Sequence, residues 1–294
     1  MKSVGILLCD EKSISEQIII KSLNKIKKSK LKKIYLIGDK RSFVKLYKKS
    51  RNIKKTIFID CKIVKNKFFD YLEKITDVSI DLFKKNKIDA IINMPLNKKK
   101  YLNFFPGFTE FFSKKLDGKN NENMIMYSEN FSTCPLTTHI ELKSVNTKIT
   151  KKKLLNCLNN IINFYKKVIK KKITIIILGL NPHASKDLKK STKDHTIIKP
   201  IVKLFQKKGV DIFGPVPADT AFEKVKNKIF IGMYHDQVLT PFKILNKFNG
   251  INLTIGKGII RMSPDHGTGA NIINKKKLIN NQSFIKCIEF CENY

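Results

Sequence analysis

Histidine is scarce in this chain, and four of its five histidines stand in short polar segments that follow apolar runs. His139, His183 and His235 each lie just past the end of a stretch that reads as a strand. In an open α/β sheet the ligand crevice forms at the carboxyl ends of the strands, so these imidazoles could converge although they are distant in sequence. Three imidazoles leave open positions on a divalent ion, as a catalytic metal site requires. Taken one at a time, each histidine is more simply explained as a capping or hydrogen-bonding residue.

Four charged side chains add to this chemistry. Asp219 stands in a turn-rich loop and Asp236 directly follows a histidine. A carboxylate beside a metal can act as general base or orient a ligand, although Asp219 is explained equally well as the cap of the next helix. Lys243 and Arg261 could bind phosphate or carboxylate groups. Arg261 is one of only three arginines in the chain, and its planar fork suits the recognition of anions.

A glycine-containing turn supplies a candidate nucleotide site. It consists of Asp265, His266, Gly267 and Thr268 and precedes a helical stretch, so it could hold a nucleotide near a helix N-terminus. No GxGxxG motif follows the first apolar run, so the ordinary dinucleotide-binding fingerprint is absent. His195 lies at the start of another predicted helix, where we expect a surface or capping role.

Apolar runs alternate with amphipathic stretches along the chain, and this alternation predicts an α/β protein with largely parallel strands. There is no internal repeat. The predicted strands are Val4–Leu8, Ile34–Ile37, Thr56–Ile59, Ala90–Asn93, Ile173–Leu180, Ile229–Tyr234 and Ile251–Ile255. The predicted helices are Ser13–Ile26, Phe69–Phe83, Lys152–Ile169, Ile197–Lys207 and Phe284–Cys291.

The formal net charge of +35 raises the alternative of a nucleic-acid binder. The basic residues are almost all lysines, they are spread over the whole chain, and arginine forks for base or phosphate recognition are nearly missing. We therefore expect solvated lysine-rich faces that attract anionic small molecules, and no specific nucleic-acid partner. None of the apolar runs approaches the roughly 20 residues of a membrane-spanning helix, so no membrane partner is expected.

Six cysteines are scattered without a CxxC pair. We expect reduced thiols, with Cys287 and Cys291 as small apolar residues one turn apart on the last helix. The short apolar stretch near the start lacks the features of a secretory signal, which predicts a location in the cytoplasm.

Seven motifs occur in order between about residue 90 and residue 268. They are Gly107–Phe112, Thr137–His139, Gly179–Ala184, Gly214–Thr220, Met233–Gln237, Gly250–Asn252 and Ser263–Thr268. Together they resemble the 4-hydroxythreonine-4-phosphate dehydrogenase family, a relative of the isocitrate and isopropylmalate dehydrogenases. So many motifs in one order make the resemblance highly specific.

The resemblance assigns roles to residues of this chain. By it, His139, His183 and His235 fall on the family's ligands for one divalent metal ion, which could be Zn, Mg, Co or Mn. Thr109, Lys243, Asn252 and Arg261 match its substrate contacts, and Asp219 matches an acidic residue near the metal. The loop of Asp265, His266, Gly267 and Thr268 resembles the one that holds the adenosine of NAD. We expect Asp219 and Lys243 to act in catalysis, with Asp219 as the first candidate for the proton acceptor and a metal-bound water as the alternative.

The resemblance also implies an architecture. It is α/β, with two α/β/α lobes and the active site in the cleft between them, as in the isocitrate and isopropylmalate dehydrogenases. We expect residues 1–110 with 276–294 to form the first lobe and residues 111–275 to form the second, which carries the metal ligands and the dimer contacts. The family implies a homodimer with a shared active site.

Two segments depart from the family pattern. The first loop, Cys9–Ser15, keeps only an acidic residue and an isoleucine of the family's glycine-rich loop. The family's substrate-contacting histidine is Phe108 here, and Lys98, Lys99 and Lys100 could replace its positive charge. These departures bear on the substrate and leave the metal ligands unchanged.

The expected function is therefore that of an oxidoreductase of pyridoxine biosynthesis. It would oxidise 4-phosphohydroxy-L-threonine with NAD, and loss of carbon dioxide would give 3-amino-2-oxopropyl phosphate. The metal charge would favour the substrate alkoxide before hydride transfer. The alternatives are a dehydrogenase of phosphothreonate or phosphoerythronate, or a non-catalytic nucleic-acid binder.

Overall fold

The computed structural model of the protein describes residues 1–102, 104–116, 118, 121–256, 258–273 and 275–294. The chain forms two compact units. The first comprises residues 1–120, 248–253 and 257–294, and the second comprises residues 121–247 and 254–256. Strands and helices alternate along most of the chain, which confirms the predicted α/β class.

The described residues contain eleven strands. In chain order they are β1 (Val4–Leu7), β2 (Ile34–Gly38), β3 (Thr56–Asp60), β4 (Ala90–Asn93), β5 (Asn123–Tyr127), β6 (Phe131–Pro135), β7 (Thr174–Leu178), β8 (Ile212–Val216), β9 (Lys228–Gly232), β10 (Ile251–Ile255) and β11 (Ile260–Pro264).

The same residues contain eleven α-helices. They are α1 (Ser15–Lys21), α2 (Leu23–Lys28), α3 (Val44–Ser50), α4 (Phe68–Lys84), α5 (Lys98–Tyr101), α6 (Phe108–Leu116), α7 (Val145–Lys148), α8 (Lys151–Phe164), α9 (Lys199–Lys207), α10 (His235–Asn246) and α11 (Gln282–Asn293). Short 3-10 turns occur at Leu142–Ser144, Pro182–Ser185, Ala270–Ile272 and Lys276–Leu278, and π-helical turns at Tyr165–Ile169 and Asp194–Ile198.

In the first unit the strands lie in the order β3-β2-β1-β4-β11-β10. Four pairs, β2/β3, β1/β2, β1/β4 and β4/β11, are parallel. The central strands β1, β2 and β4 are buried along their whole length and are apolar except for Asn93 at the end of β4, as is typical of parallel sheets. Helix α4 buries one face, which includes Leu72, Ile75 and Ile80.

In the second unit the order is β5-β6-β9-β7-β8. Only β5 and β6 pair in antiparallel fashion, whereas β6/β9, β7/β9 and β7/β8 are parallel. The core of this unit includes Phe131, Leu178, Phe230 and Phe242. Since β6, β9 and β7 are adjacent and parallel, their carboxyl ends meet at one edge of the sheet.

Each of the seven predicted strands is present, with ends that shift by two residues at most. The pattern did not predict β5, β6, β8 and β11, nor helices α3, α5, α6, α7 and α10. The missed strands contain buried polar residues or proline, as in Phe131–Pro135, where Ser132 and Thr133 are fully buried. In β6, β8 and β11 these residues interrupt the continuous apolar run from which the other strands were predicted.

The two units differ from the predicted lobes in their bounds. Residues 111–120 belong to the first unit, and α6, which begins at Phe108 in that unit, continues through those up to Leu116. Residues 258–275 also belong to the first unit, since β11 pairs with β4. The second unit is therefore smaller than the predicted second lobe, and it still contains all three candidate histidine ligands.

All six cysteines are free and buried. Cys287 and Cys291 lie on the buried face of α11, as small apolar residues would. Cys134 and Cys157 come closest together, with 3.6 Å between their sulfur atoms. Within the part of the chain that the structure describes, no helix is both long and apolar enough to cross a membrane.

Candidate functional site

The three candidate metal ligands follow three neighbouring strands of the second unit. His139 lies four residues after β6, His183 five residues after β7, and His235 directly opens α10 after β9. Because β9 lies between β6 and β7 and is parallel to both, the three histidine segments leave the sheet at the same edge. The sequence placed each histidine after a strand, and the strand order makes these strands adjacent.

His139 and His235 form a close pair, with ring centroids 5.9 Å apart. A metal about 2.1 Å from a ring nitrogen lies about 3.2 Å from that ring's centroid, so two ligands of one ion have centroids at most about 6.4 Å apart. The observed spacing fits a shared ion. Among the described residues no three His, Cys, Asp or Glu side chains are grouped closely enough to hold a metal, so His183 does not complete this pair.

Asp236 binds the ring of His235. Its Oδ1 accepts a hydrogen bond from His235 Nδ1 at 2.6 Å. This contact occupies one ring nitrogen and leaves Nε2 as the nitrogen that can bind a metal. A carboxylate in this position fixes the orientation of a ligand imidazole.

The loop that carries His183 has an unusual backbone. His183, Ala184 and Ser185 have φ angles of 51°, 54° and 59°, in the left-handed region. Each such residue that is not glycine costs on the order of 1–2 kcal/mol, and three in succession need support from their surroundings. The loop also folds tightly on Gly179, where a Cβ atom would lie 2.7 Å from the Ala184 Cα.

The support comes from Asp194, which is fully buried. Its carboxylate accepts hydrogen bonds from Leu180 N at 2.7 Å, from Asn181 Nδ2 at 2.7 Å and from Ser185 Oγ at 2.6 Å. His195 Nε2 donates to the carbonyl of Ser185 at 2.9 Å, so this half-buried ring bonds the His183 loop, where a surface or capping role was expected. Both ends of the loop are therefore tied to the segment at residues 194–195.

Gln237 joins the histidine segments to one another. Its Nε2 donates to the carbonyl of Gly179 at 2.7 Å, and its Oε1 accepts from Met233 N at 2.7 Å. The buried hydroxyl of Thr137 donates to the carbonyl of Met233 at 2.7 Å. Buried hydrogen bonds thus connect the segments of His139, His183 and His235 just before each histidine.

A cavity of about 530 Å³ adjoins all three segments. Leu142 follows His139 along the chain, and Tyr234 precedes His235. Asn181 lines the cavity from the loop of His183. The volume lies in the range of small-molecule sites.

Asp219 and Lys243 are both exposed. Asp219 lies in a turn that follows β8, and no helix begins there among the described residues. The alternative that Asp219 caps a helix is therefore wrong. Lys243 lies on α10, eight residues after His235.

Arg261 is almost completely buried in the first unit. Its Nε donates to Asn93 Oδ1 at 2.5 Å and its Nη1 to Thr109 Oγ1 at 3.3 Å. The guanidinium carbon lies 4.7 Å from the centroid of the Phe108 ring. Burial lowers the pKa of Arg261 to about 10, so the charge is desolvated and an anionic ligand would stabilise it. Three residues that the sequence singled out, Thr109, Phe108 and Arg261, are thus in contact.

The candidate nucleotide loop contains a half-buried histidine. His266 Nδ1 donates to the Gly267 carbonyl at 2.9 Å, and burial lowers the pKa of this imidazole. The Thr268 carbonyl accepts from Ile14 N at 2.9 Å, and the Asp265 N donates to a serine of α11. The predicted loop is therefore anchored to both the first loop and the last helix.

Two buried polar atoms of predicted ligand-binding residues have no hydrogen-bond partner within the described ranges. They are His266 Nε2 and Asn252 Oδ1. Buried polar groups normally have a partner, so such atoms are where a ligand group would bind. This arrangement fits the nucleotide and substrate roles expected for these residues.

The altered first loop has its own polar network. Glu11 accepts hydrogen bonds from the Tyr101 hydroxyl at 2.6 Å and from Lys100 Nζ at 2.9 Å. Lys100 also lies over the Phe68 ring, 3.7 Å from its centroid. Burial favours the neutral carboxyl of Glu11, but these two donors outweigh it and lower its pKa. Lys100 is therefore bound to Glu11, which argues against its use as a replacement for the family's histidine.

Sequence reasoning missed Asp194 and Asn93. Asp194 is one of many acidic residues in a polar segment, and no spacing rule pointed to the loop it binds. Asn93 ends β4 and was assigned only as a strand residue, although a polar residue at the carboxyl end of a buried strand is a signal that could have found it.

Comparison with solved structures defines the class of protein. A 4-hydroxythreonine-4-phosphate dehydrogenase from Burkholderia phymatum aligns with 100% of this chain and 98% of its own, at a TM-score of 0.77 and 25% identity. The isocitrate dehydrogenase of Methylococcus capsulatus shares the fold at a TM-score of 0.54 and 10% identity, over 98% of this chain and 84% of its own. The chain therefore has the predicted isocitrate-dehydrogenase-like α/β fold.

The family model of the pyridoxal phosphate biosynthetic protein PdxA matches residues 4–291. This chain belongs to the PdxA family. The 4-hydroxythreonine-4-phosphate dehydrogenase of Sulfurihydrogenibium sp. (strain YO3AOP1) is 32% identical, over 98% of this chain and 97% of its own. The D-threonate 4-phosphate dehydrogenase of Pectobacterium atrosepticum is 30% identical over 63% of this chain and 59% of its own.

Proposed function

We propose that this protein oxidises 4-phosphohydroxy-L-threonine with NAD in the biosynthesis of pyridoxal 5'-phosphate. The hydroxyl carbon would give up a hydride to NAD and its oxygen a proton, and the resulting β-keto acid would lose carbon dioxide to leave 3-amino-2-oxopropyl phosphate. Family membership and a near full-length relative of that name support the proposal. The observation that carries it is the pair of His139 and His235, 5.9 Å apart beyond adjacent parallel strands.

A divalent ion is part of the proposal. Zn, Mg, Co or Mn bound by His139, His183 and His235 would act as a Lewis acid that lowers the pKa of the substrate hydroxyl. The Asp236 contact would hold the His235 ring, and the hydrogen bonds of Gln237 would keep its segment in place. The third ligand, His183, would complete the site in the proposed homodimer, whose active site is shared.

The anionic ends of the substrate would be bound by Arg261 and Lys243. Arg261 is buried and held by Asn93 and Thr109, so its guanidinium is already oriented before an anion binds. Thr109 and Asn252 would contribute hydrogen bonds from neutral side chains. The side chain of Lys243 is long and exposed, so it can reach an anionic group over a wider range of positions than the buried Arg261 can.

We assign proton transfer from the substrate hydroxyl to Asp219. Its carboxylate is exposed in a turn and is not engaged as a helix cap, so it can accept a proton from a bound substrate. The loop of Asp265, His266, Gly267 and Thr268 would bind the adenosine of NAD, with His266 Nε2 available to the ligand.

We also propose a homodimer with a shared active site, as the family resemblance implies. The incomplete grouping of ligands among the described residues of one chain supports this proposal. Light scattering on the purified protein would test it. A location in the cytoplasm stays a prediction.

D-threonate 4-phosphate is the second candidate substrate. The Pectobacterium relative acts on it by name, and the family's substrate-contacting histidine is Phe108 in this chain. The phenyl ring of Phe108 has no N–H or O–H and cannot donate the hydrogen bond that a histidine would give. A substrate without an amino group, such as this one or the corresponding erythronate, is therefore worth direct comparison.

The test is a matched assay of the purified protein. NADH formation would be followed with 4-phosphohydroxy-L-threonine, D-threonate 4-phosphate and D-erythronate 4-phosphate, each with Zn, Mg, Co or Mn after removal of bound metal. We expect the highest kcat/KM with 4-phosphohydroxy-L-threonine and release of carbon dioxide. A higher value with a threonate or erythronate would replace the proposed substrate. No turnover with any of the three would overturn the dehydrogenase proposal.

A further inference from the structure

The loop of His183 is held by a residue that has no place in the proposed chemistry. We propose that Asp194 is a positioning residue that fixes this loop so that His183 can act as a metal ligand. The inference rests on the proposed metal site and concerns how the protein builds it. Three observations carry it: the burial of the carboxylate, its set of donors, and the link from the loop to the segment of His235.

A fully buried carboxylate is costly unless donors surround it. The donors to Asp194 are Leu180 N, Asn181 N, Asn181 Nδ2 and Ser185 Oγ, at 2.6 to 3.3 Å. All of them belong to the loop that contains His183. The hydrogen bonds of this carboxylate therefore fix the loop on both sides of the histidine.

The loop needs this restraint because its backbone is left-handed at His183, Ala184 and Ser185. Residues rarely adopt this conformation in succession. Without the Asp194 carboxylate to accept hydrogen bonds from the loop, we expect the loop to return to ordinary backbone angles. The direction of the His183 side chain is set by those angles. Loss of Asp194 would therefore reduce the population of the loop conformation in which His183 projects from the loop.

The same loop is tied to the second histidine segment. Gln237 bonds the Gly179 carbonyl at the start of the loop and Met233 N just before His235. A shift of the loop would therefore displace the segment of His235 as well as His183. This connection separates the role of Asp194 from a general contribution to stability.

The experiment compares Asp194→Asn with Asp187→Asn in the full-length protein. Asp187 lies in the same segment and is exposed, so it is the matched control. In Asp194→Asn an amide nitrogen, which cannot accept a hydrogen bond, replaces one acceptor among the loop donors. Binding of Co²⁺ to the metal-free protein would be measured by calorimetry and by its visible absorption. Hydrogen exchange of residues 179–186 would be measured without metal.

We expect Co²⁺ to bind about 10–100-fold more weakly to Asp194→Asn, as for other residues that orient a ligand, with a changed visible spectrum. Exchange of residues 179–186 should be at least about tenfold faster, because exchange follows local opening. Asp187→Asn should match the natural protein in both measurements. If exchange were unchanged in Asp194→Asn, the inference would be overturned. The same holds if Asp194→Asn bound Co²⁺ normally while His183→Ala bound it more weakly, and in that case the proposed metal site would stand.

Two further variants keep the outcomes distinct. Ser185→Ala removes one donor from the same network and should change both measurements in the same direction by a smaller factor, so it tests the inference if Asp194→Asn does not fold. No change in a folded Ser185→Ala would then overturn it. If His183→Ala binds Co²⁺ as tightly as the natural protein, the proposed metal site is wrong and the inference falls with it.

Discussion

The guanidinium of Arg261 lies over the ring of Phe108, with 4.7 Å between its central carbon and the ring centroid. The ring packs in turn against Phe111 and Phe112, at centroid distances of 5.6 and 6.1 Å. At the position where the family resemblance led us to expect a histidine, this chain thus places an aromatic surface beneath the buried cation. Phe108 orients Arg261 instead of offering a hydrogen bond.

Phe108→Leu should weaken substrate binding. A cation over an aromatic face is stabilised by about 0.5–2 kcal/mol, so we expect KM to rise roughly two- to thirtyfold with a smaller change in kcat. Steady-state kinetics would measure this. Phe111→Leu is the control, since it alters the same cluster at a buried position, and an equal rise in KM there would contradict the role of the ring contact.

Phe108→His tests whether the family's hydrogen bond is missed. A hydrogen bond to a charged group is worth about 1.5–3 kcal/mol, so a substrate that needs it would gain roughly ten- to a hundredfold in kcat/KM. Because the Phe108 ring is packed in an aromatic cluster beneath Arg261, we expect no gain with 4-phosphohydroxy-L-threonine. A large gain would show that the natural protein lacks a needed donor.

Replacement of His139, His183 or His235 by Ala should abolish turnover and leave a folded protein. All three lie in loops or at a helix start outside the core, so the expected loss is of metal binding and not of packing. Activity in chelator-treated buffer, with circular dichroism as the check on folding, would measure this. Full turnover by any one of the variants would remove that histidine from the metal site.

Arg261→Lys should damage turnover or binding far more than a surface substitution does. An ammonium group cannot bond Asn93 and Thr109 in the geometry of the guanidinium, and the loss of a charge-assisted hydrogen bond costs about 1.5–3 kcal/mol. We expect kcat/KM to fall roughly ten- to a hundredfold. Arg41→Lys and Arg51→Lys, both exposed, are the controls, and a similar effect in all three would mean that Arg261 has no special role.

The apolar pattern located the strands that are buried on both faces, and it failed where buried strands carry polar groups. Ser132 on β6 is fully buried because the Tyr165 hydroxyl bonds it at 2.9 Å, and no periodicity reveals such a partner. The candidate site residues could be found from the sequence, but the side chains that hold their segments in place could not. Asp194 holds the His183 loop through contacts that depend on backbone angles, which the sequence does not display.

The network at Glu11 predicts a pH-dependent contribution to stability. Donors from Tyr101 and Lys100 lower the pKa of this carboxyl from its ordinary value of 4.5, so the ionised form is favoured in the folded state. The stabilisation from ionised Glu11 is fully present above the ordinary pKa of 4.5. It is lost as the pH falls through the lower pKa of the folded state.

Glu11→Gln should therefore lower the free energy of unfolding by about 1–2 kcal/mol at pH 7 and by less at pH 3. Denaturant titrations at the two pH values would measure the difference. Asp81→Asn breaks an exposed pair with Lys85 and should have little effect at either pH. A loss for Glu11→Gln that is equal at both pH values would contradict the assigned cause.

Nucleic-acid affinity should be weak and independent of sequence. Dispersed lysines act only through phosphate charge, so binding should fall steeply as salt rises. Fluorescence anisotropy with two unrelated duplexes at several salt concentrations would measure this. A sequence-specific complex that survives physiological salt would favour the binder alternative.

The burial of all six cysteines leaves the surface of the described chain without a reactive thiol. A maleimide dye or a nitroxide can therefore be attached at one introduced cysteine without removal of the native ones. Lys186 is exposed and directly follows the left-handed residues of the His183 loop, so a label at Lys186→Cys would lie beside the loop that Asp194 holds. The natural sequence is in this way already suited to spectroscopy of its proposed metal-binding segment in solution.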